Sequence, residues 1–102
     1  MGVLHLVSRS PGESLALAQC LERAGASDAV LLLEGGVYAA IKDSVLAPKL
    51  AGSMQCVTIH ALAPDLRARG IAAEEVIAGV VLIEYEGFVE LSILHNPIIS
   101  WS

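Results

Sequence analysis

The chain has 102 residues, of which 55% are apolar and 17% charged, and its formal net charge is -5 at neutral pH. A chain of this length can bury a core without a metal or a disulfide, so we expect a single domain over residues 1–102. Its six Lys and Arg residues form no basic run, which argues against direct nucleic-acid binding because phosphate neutralisation requires clustered cations. The high apolar content predicts that other subunits cover part of the surface.

The sequence predicts a cytoplasmic protein. Its long apolar runs, such as residues 76–83, are much shorter than the roughly 20 residues that cross a bilayer. Residues 1–9 lack the basic start and the cleavage site of a signal peptide. In this compartment Cys20 and Cys56 are expected to stay reduced, without a disulfide between them.

A strand and a long helix are predicted at the start of the chain. Residues 3–7 form a short apolar run followed by turn residues, which is typical of a buried strand. Ser10 is expected to cap the helix, with Pro11 in its first position and Glu13 completing a capping box. The helix should end at about Ala24, before Gly25.

Three further elements are predicted between residues 29 and 70, namely a strand at 29–36, a strand at 56–62 and a short helix at 63–70. The double glycine that closes the first of these strands turns the chain into a second helix. This second helix, at residues 37–44, is expected to be short because Pro48 and Gly52 interrupt the segment that follows it. Strands that alternate with helices in this way indicate a parallel sheet covered on both faces.

The C-terminal segment allows two interpretations. Residues 80–94 suit a hairpin that turns at Glu86 and Gly87, and they equally suit a helix with an apolar stripe and with His95 near its C-terminal end. We favour the helix, because Pro97 then terminates it and residues 98–101 make a last strand. Composition alone leaves the two alternatives open.

Cys20 is the residue that raises a question of function. On a helical wheel Leu17, Leu21 and Ala24 form the core stripe, and Cys20 lies about 60° from its centre, at the border with solvent. One interpretation is a small packing residue, since free cysteines are often buried. The other is a reactive thiol, with Arg23 at position i+3 supplying the positive charge that stabilises a thiolate.

The other candidate residues favour packing or contact with partners. Leu15 lies opposite the core stripe of the first helix, which points to a partner surface. Cys56 opens the third strand without a cation nearby and is interpreted as a packing residue. His5, His60 and His95 have no carboxylate or cysteine at ligand spacing, so we predict no metal site and no cofactor. A nucleotide- or phosphate-binding module is a further alternative, although the turns lack the glycine pattern of a phosphate loop.

Three segments of the chain resemble the DsrH/TusB family of sulfur-relay subunits. They read LLLEGGVYAAI at residues 31–41, ALAPDLRARGI at residues 61–71 and LIEYEGFVELSILHNPIISW at residues 82–101. With the opening "LH" strand and the "RSP" turn, their order and spacing extend the resemblance over nearly the whole chain. The resemblance is closer to DsrH, because TusB-type chains generally lack a cysteine at the position of Cys20.

The resemblance implies a three-layer α/β/α fold of the DsrE-like type, with a mainly parallel sheet of four to five strands and a helical C-terminal segment. It implies assembly with DsrE/TusD and DsrF/TusC partners into a heterohexamer that holds two copies of each subunit. Such complexes pass persulfide sulfur between cysteines towards a DsrC/TusE carrier. The DsrH branch serves intracellular sulfur oxidation, and the TusB branch serves 2-thiolation of the tRNA wobble uridine.

Two hypotheses about function result. In the first, the chain is a subunit of a DsrEFH-type complex in which Cys20 receives or passes the persulfide and Arg23 stabilises its thiolate, without catalysis by the chain alone. In the second, the chain is a structural subunit that shapes the complex and docks the carrier. The resemblance implies that the established sulfur-accepting cysteine belongs to the DsrE/TusD subunit, which leaves Cys20 a candidate, and the second hypothesis draws support from related chains that lack this cysteine and still serve their complexes.

Overall fold

A computed structural model describes residues 2–101. Its strands are β1 (Leu4–Val7), β2 (Ala29–Leu32), β3 (Thr58–Leu62), β4 (Val81–Ile83) and β5 (Ile98–Trp101). Its α-helices are α1 (Ala16–Arg23), α2 (Ala47–Ser53), α3 (Ala63–Ala68) and α4 (Tyr85–Leu94), with 3-10 helices at Glu34–Ala40 and Ala73–Glu75. The alternation of strands and helices predicted from the sequence is confirmed.

The strands form one five-stranded sheet in the order β4-β3-β2-β1-β5. Every neighbouring pair is parallel, and β1 pairs with both β2 and β5, so that Leu4 lies beside Ala29 on one side and Ile98 on the other. All four residues of β2 are buried. This continuous burial is what a parallel sheet with both faces covered requires.

The two faces of the sheet are covered to different extents. On the first face, α1, α2, α3 and the 3-10 helix Glu34–Ala40 enclose a large apolar core over the strand residues Val7, Val30, Leu32, Ile59 and Ala61. On the second face, Phe88 and Leu91 of α4 pack over a smaller core. The alternation of strand side chains between the two cores follows the pleat of the sheet. The result is the three-layer α/β/α architecture expected from the sequence.

The first helix begins later than predicted. Ser10 and Glu13 do interact, since the Ser10 hydroxyl donates to the Glu13 carboxylate over 3.0 Å, but the Glu13 N–H donates to the Ser10 carbonyl and closes a turn. The helix α1 starts at Ala16, whose N–H donates to the Ser14 hydroxyl over 3.0 Å. Local bonds of this kind compete with helical hydrogen bonds, and Gly12 further disfavours an earlier start.

The segment after β2 also differs from expectation. The strand ends at Leu32, and both Gly35 and Gly36 belong to the 3-10 helix that follows. Pro48 does not interrupt a helix, because it lies in the first turn of α2. Backbone N–H groups in the first turn have no acceptor within the helix, so a proline there costs no helical hydrogen bond.

The helical interpretation of the C-terminal segment is confirmed by α4, and the hairpin interpretation is wrong. Residues 81–83 nevertheless form a strand, because His60, Ala61 and Leu62 of β3 offer them a parallel partner at the sheet edge. The helix α4 has 10 residues. No helix within residues 2–101 is long and apolar enough to cross a bilayer.

Gly36 provides a test of how closely the 3-10 helix approaches β1. A Cβ at this buried position would overlap the carbonyl oxygen of Val7, so one of the two backbones must move to accept it. Gly36→Ala is therefore expected to lower the free energy of unfolding by about 1–3 kcal/mol, measured by urea denaturation. Gly52→Ala, in α2 with no atom within 4 Å of the added Cβ, should instead raise it by up to about 1 kcal/mol. Equal effects of the two substitutions would contradict the close approach.

Candidate functional site

Cys20 lies in α1, and its side chain is fully buried in the core of the first sheet face. The border position predicted from the helical wheel is wrong. The helix buries Ala16, Leu17 and Cys20, whereas Leu21 and Ala24 are only half-buried. The buried centre of α1 is therefore shifted towards Cys20, because the helix contacts both β1 and the edge strand β5.

The electrostatic environment of the Cys20 thiol opposes ionisation. Burial, and after it the carboxylate of Asp28, raises the pKa of the Cys20 thiol to about 12. A buried thiolate loses its hydration, and a nearby negative charge disfavours it further. The Cys20 thiol therefore stays protonated near neutral pH while α1 is packed on the sheet.

Arg23, the predicted stabiliser of the thiolate, lies on the exposed side of α1. Its side chain is in solvent, whereas the Cys20 side chain is buried. The spacing of three residues that suggested a pair does place them one turn apart, but the packing of α1 puts one in the core and the other in solvent.

A hydrogen-bond network that the sequence did not reveal lies beside this core. His5 in β1 is buried, and its Nε2 is 2.9 Å from Oδ2 of Asp28. The indole N–H of Trp101 donates to Nδ1 of His5 over 3.0 Å. Because an indole nitrogen can only donate, Nδ1 must accept, which leaves the ring proton on Nε2 to be donated to Asp28. Both ring nitrogens of the buried histidine are therefore satisfied.

Asp28 accepts further hydrogen bonds from the backbone. The N–H of Val3 donates to Oδ1 over 2.9 Å, and the N–H of Gly25 donates to Oδ2 over 3.1 Å. Burial alone would raise the pKa of Asp28, but the hydrogen bonds from His5, Val3 and Gly25 outweigh it and lower the pKa to about 2. The Asp28 carboxylate is thus ionised at neutral pH and joins the loop before β2 to β1.

Cys56 is exposed, which contradicts its interpretation as a packing residue. It lies in the turn between α2 and β3, because the strand begins two residues later than predicted, at Thr58. Both cysteines are free thiols.

The two remaining histidines lie apart from Cys20. His60 is in β3, and burial lowers its pKa. His95 ends α4, and its Nδ1 is 2.8 Å from the carbonyl oxygen of Leu91. Among the described residues, no three His, Cys, Asp or Glu side chains are grouped so that they could hold a metal ion.

Comparison with known proteins identifies relatives along nearly the whole chain. Residues 9–98 match the family model described as DsrH like protein. Protein TusB of Pectobacterium atrosepticum is 37% identical over 101 residues, which cover 97% of this chain and 100% of that protein. Protein TusB of Escherichia coli is 31% identical over 99 residues, with the same coverage of both chains.

Solved structures share the fold. A protein of unknown function from Methanobacterium thermoautotrophicum, MTH1491, superposes with a TM-score of 0.80 at 15% identity, over 96% of each chain. The YchN protein of Escherichia coli superposes with a TM-score of 0.77 at 14% identity, over 98% of this chain and 99% of that one. At these identities the likeness establishes the fold alone.

The hydrogen bonds of Asp28 predict an acid-sensitive contribution to stability. The unfolded carboxyl has an ordinary pKa of 3.8 and the folded one a pKa of about 2, so acid protonates the unfolded chain first. This contribution is complete above about pH 5 and is lost as the pH falls towards 2. Asp28→Asn should lower the free energy of unfolding by about 2 kcal/mol at neutral pH and flatten its fall in acid.

Urea denaturation at a series of pH values measures both effects. Asp43→Asn, which removes an exposed carboxylate, is the matched control and should change neither. An Asp28→Asn variant with the stability and acid response of the wild type would refute the role assigned to the network.

Proposed function

This chain belongs to the DsrH/TusB family, and from that premise we propose that it is a structural, non-catalytic subunit of a cytoplasmic sulfur-relay complex. Its partners are chains of the DsrE/TusD and DsrF/TusC types. The cargo is persulfide sulfur, which reacts on a cysteine of the DsrE/TusD partner and passes to a DsrC/TusE-type carrier. The observation that carries the proposal is the complete burial of Cys20 in the core.

The chemistry of sulfur transfer explains why this burial matters. To accept sulfur, a thiolate must attack the outer sulfur of a donor persulfide, so that the donor S–S bond breaks and the donor leaves as a thiolate. A thiol with a pKa of about 12 is ionised in only about one molecule in 10⁵ at neutral pH. The packing of α1 also keeps a donor away from the Cys20 sulfur. Both factors support a reacting cysteine on a partner subunit.

The competing proposal keeps Cys20 as the persulfide carrier and Arg23 as the group that stabilises its thiolate. It requires α1 to leave the sheet when the partners bind, since only then does the thiol reach solvent and the guanidinium of Arg23. The experiment below distinguishes this proposal from the structural one.

The exposed apolar residues support a role within an assembly. Leu15, which the sequence assigned to a partner surface, is 72% exposed, and Val45 is 90% exposed. Both line a shallow pocket with Pro11, Ala18 and Leu46. Apolar surface of this kind on a small protein commonly marks contact with another subunit.

We assign the complex to tRNA wobble uridine 2-thiolation. The support is the identity of 31–37% to proteins named TusB, over 97% of the chain. Sulfur oxidation by a DsrEFH-type complex is the alternative, and the presence of Cys20 was its main support. If Cys20 is a packing residue, its presence no longer separates the two branches.

Intact masses of the subunits test which cysteine carries sulfur. The complex with its DsrE/TusD- and DsrF/TusC-type partners is incubated with a persulfide donor, and the intact mass of each subunit is measured by mass spectrometry. We expect a mass gain of one sulfur atom on the DsrE/TusD-type subunit and none on this chain. Cys20→Ala should leave sulfur transfer to the carrier within about twofold of wild type, because the smaller side chain places no unpaired polar group in the core.

Cys56→Ala is the matched control, since it removes the exposed thiol of the same chain. A gain of one sulfur atom on this chain that reductant reverses, and that Cys20→Ala alone abolishes, would establish Cys20 as the carrier and overturn the structural proposal.

The pathway is tested in the organism that encodes the chain. Deletion of the gene should lower the content of 2-thiouridine in tRNA, measured by mass spectrometry of digested tRNA. Complementation with the Cys20→Ala chain should restore it to the wild-type level, because the proposal requires the fold of this subunit and not its thiol. An unchanged 2-thiouridine content combined with loss of sulfur oxidation would assign the chain to the DsrH branch.

A further inference from the structure

The outer surface of α4 is more apolar than that of a typical solvent-facing helix. Phe88 and Leu91 face the sheet, so the opposite side should carry polar residues. Besides the exposed acids Glu86 and Glu90, it carries Tyr85, Val89 and Ile93, which are 59%, 57% and 71% exposed. In α1, by contrast, the exposed positions include Gln19, Glu22 and Arg23.

A groove extends this apolar surface towards the sheet edge. It lies between α4 and β5 and is lined by Leu6, Phe88, Val89, Ser92 and Ile98. Ile98, in the edge strand, is 46% exposed. We call the surface formed by Tyr85, Val89, Ile93 and Ile98 the α4 face. The α4 face is continuous from the helix to the edge strand. Continuous apolar surface is typical of an interface, whereas single exposed apolar residues are scattered over most proteins.

The charged side chains of α4 itself are all acidic. Residues 70–102 contain five Glu and neither Lys nor Arg. Glu84 is paired with Arg67 through two hydrogen bonds of 2.9 and 3.0 Å, which leaves Glu86 and Glu90 as exposed acids on α4. With 100° of rotation per residue, these two lie directly beside the stripe of Tyr85, Val89 and Ile93.

We propose that the α4 face docks a different protein chain, whose apolar surface is bordered by Lys or Arg, and that it does not pair with a second copy of this chain. In a two-fold contact the same patch meets itself, which would bring the Glu86 and Glu90 side chains of both copies together without a cation from either α4. A basic border on the partner neutralises them and fixes the orientation of docking. This inference rests on the proposed function, which supplies such partner subunits.

Binding of this chain to its DsrE/TusD- and DsrF/TusC-type partners, co-purified without it, tests the inference. Glu86→Lys/Glu90→Lys should weaken the Kd by about tenfold or more and reverse its dependence on salt, because the charges then repel the basic border and added salt screens the repulsion. Val89→Ser/Ile93→Ser should weaken the Kd by about tenfold or more at every salt concentration, because it removes the apolar contact.

Two controls match these changes elsewhere on the surface. Asp43→Lys/Glu74→Lys alters the net charge equally at exposed acids outside α4, and Tyr38→Ser removes a partly exposed apolar side chain from the 3-10 helix on the other sheet face. Both controls should bind within about threefold of wild type. Circular dichroism verifies that every variant is folded.

The outcomes separate this inference from the proposed function. If the wild type binds its partners and the α4 variants bind equally well, the inference fails and the proposed function stands. If the chain alone forms a dimer that Val89→Ser/Ile93→Ser dissociates, a second copy occupies the face and the inference is overturned. If the wild type binds neither partner, the proposed function itself fails, and the inference with it.

Discussion

The structure depends on satisfying a histidine buried in β1, a strand that pairs on both sides. His5 carries two ring nitrogens into the sheet, and each must find a hydrogen-bond partner or weaken the fold. One partner is Asp28, which fixes the loop before β2, and the other is Trp101, which fixes the edge strand β5. Asp28 and Trp101 lie 23 and 96 residues after His5 in the sequence, and their hydrogen bonds connect β1 to both neighbouring strands. The parallel register of β1 with β2 and β5 brings both partners within reach.

The same network governs the chemistry available to Cys20. Asp28 is held ionised by its hydrogen bonds, and its charge adds to the burial that keeps the Cys20 thiol protonated. Any rearrangement that exposed the thiol would have to lift α1 from β1 and β5, where Trp101 completes the core on the first sheet face. The packing that stabilises this face is therefore the same packing that keeps the Cys20 thiol protonated. Under the proposed function, a relay subunit arranged in this way contributes shape, and sulfur transfer takes place on another chain.

The architecture could be predicted from the sequence, but the surroundings of Cys20 could not. Short β-branched runs alternating with amphipathic segments predicted the parallel sheet, and the order of the elements was recovered except for the strand β4, whose residues were assigned to the C-terminal helix. Cys20 was misplaced because its orientation depends on how α1 packs on β5, a strand almost the whole chain away. No local sequence pattern marked Asp28 and Trp101 as partners of His5, because they reach it only when β1 lies between β2 and β5 in the folded sheet. The capping box predicted for Ser10 and Glu13 was wrong: their side chains bond to each other in a turn, and Ser14 accepts the N–H of Ala16 where α1 begins.

The unequal covering of the two sheet faces accounts for the composition of the chain. Four helical segments enclose the first face, whereas α4 is the element whose side chains pack on the core of the second. Beside Glu86 and Glu90, the outer surface of α4 exposes Tyr85, Val89 and Ile93, and apolar residues grouped in this way commonly mark a contact surface. The high share of apolar residues, 55%, agrees with the proposal that a partner covers the α4 face. The core of the first face is built from α1, α2, α3 and the 3-10 helix Glu34–Ala40, so the residues that form this core differ from those of the α4 face.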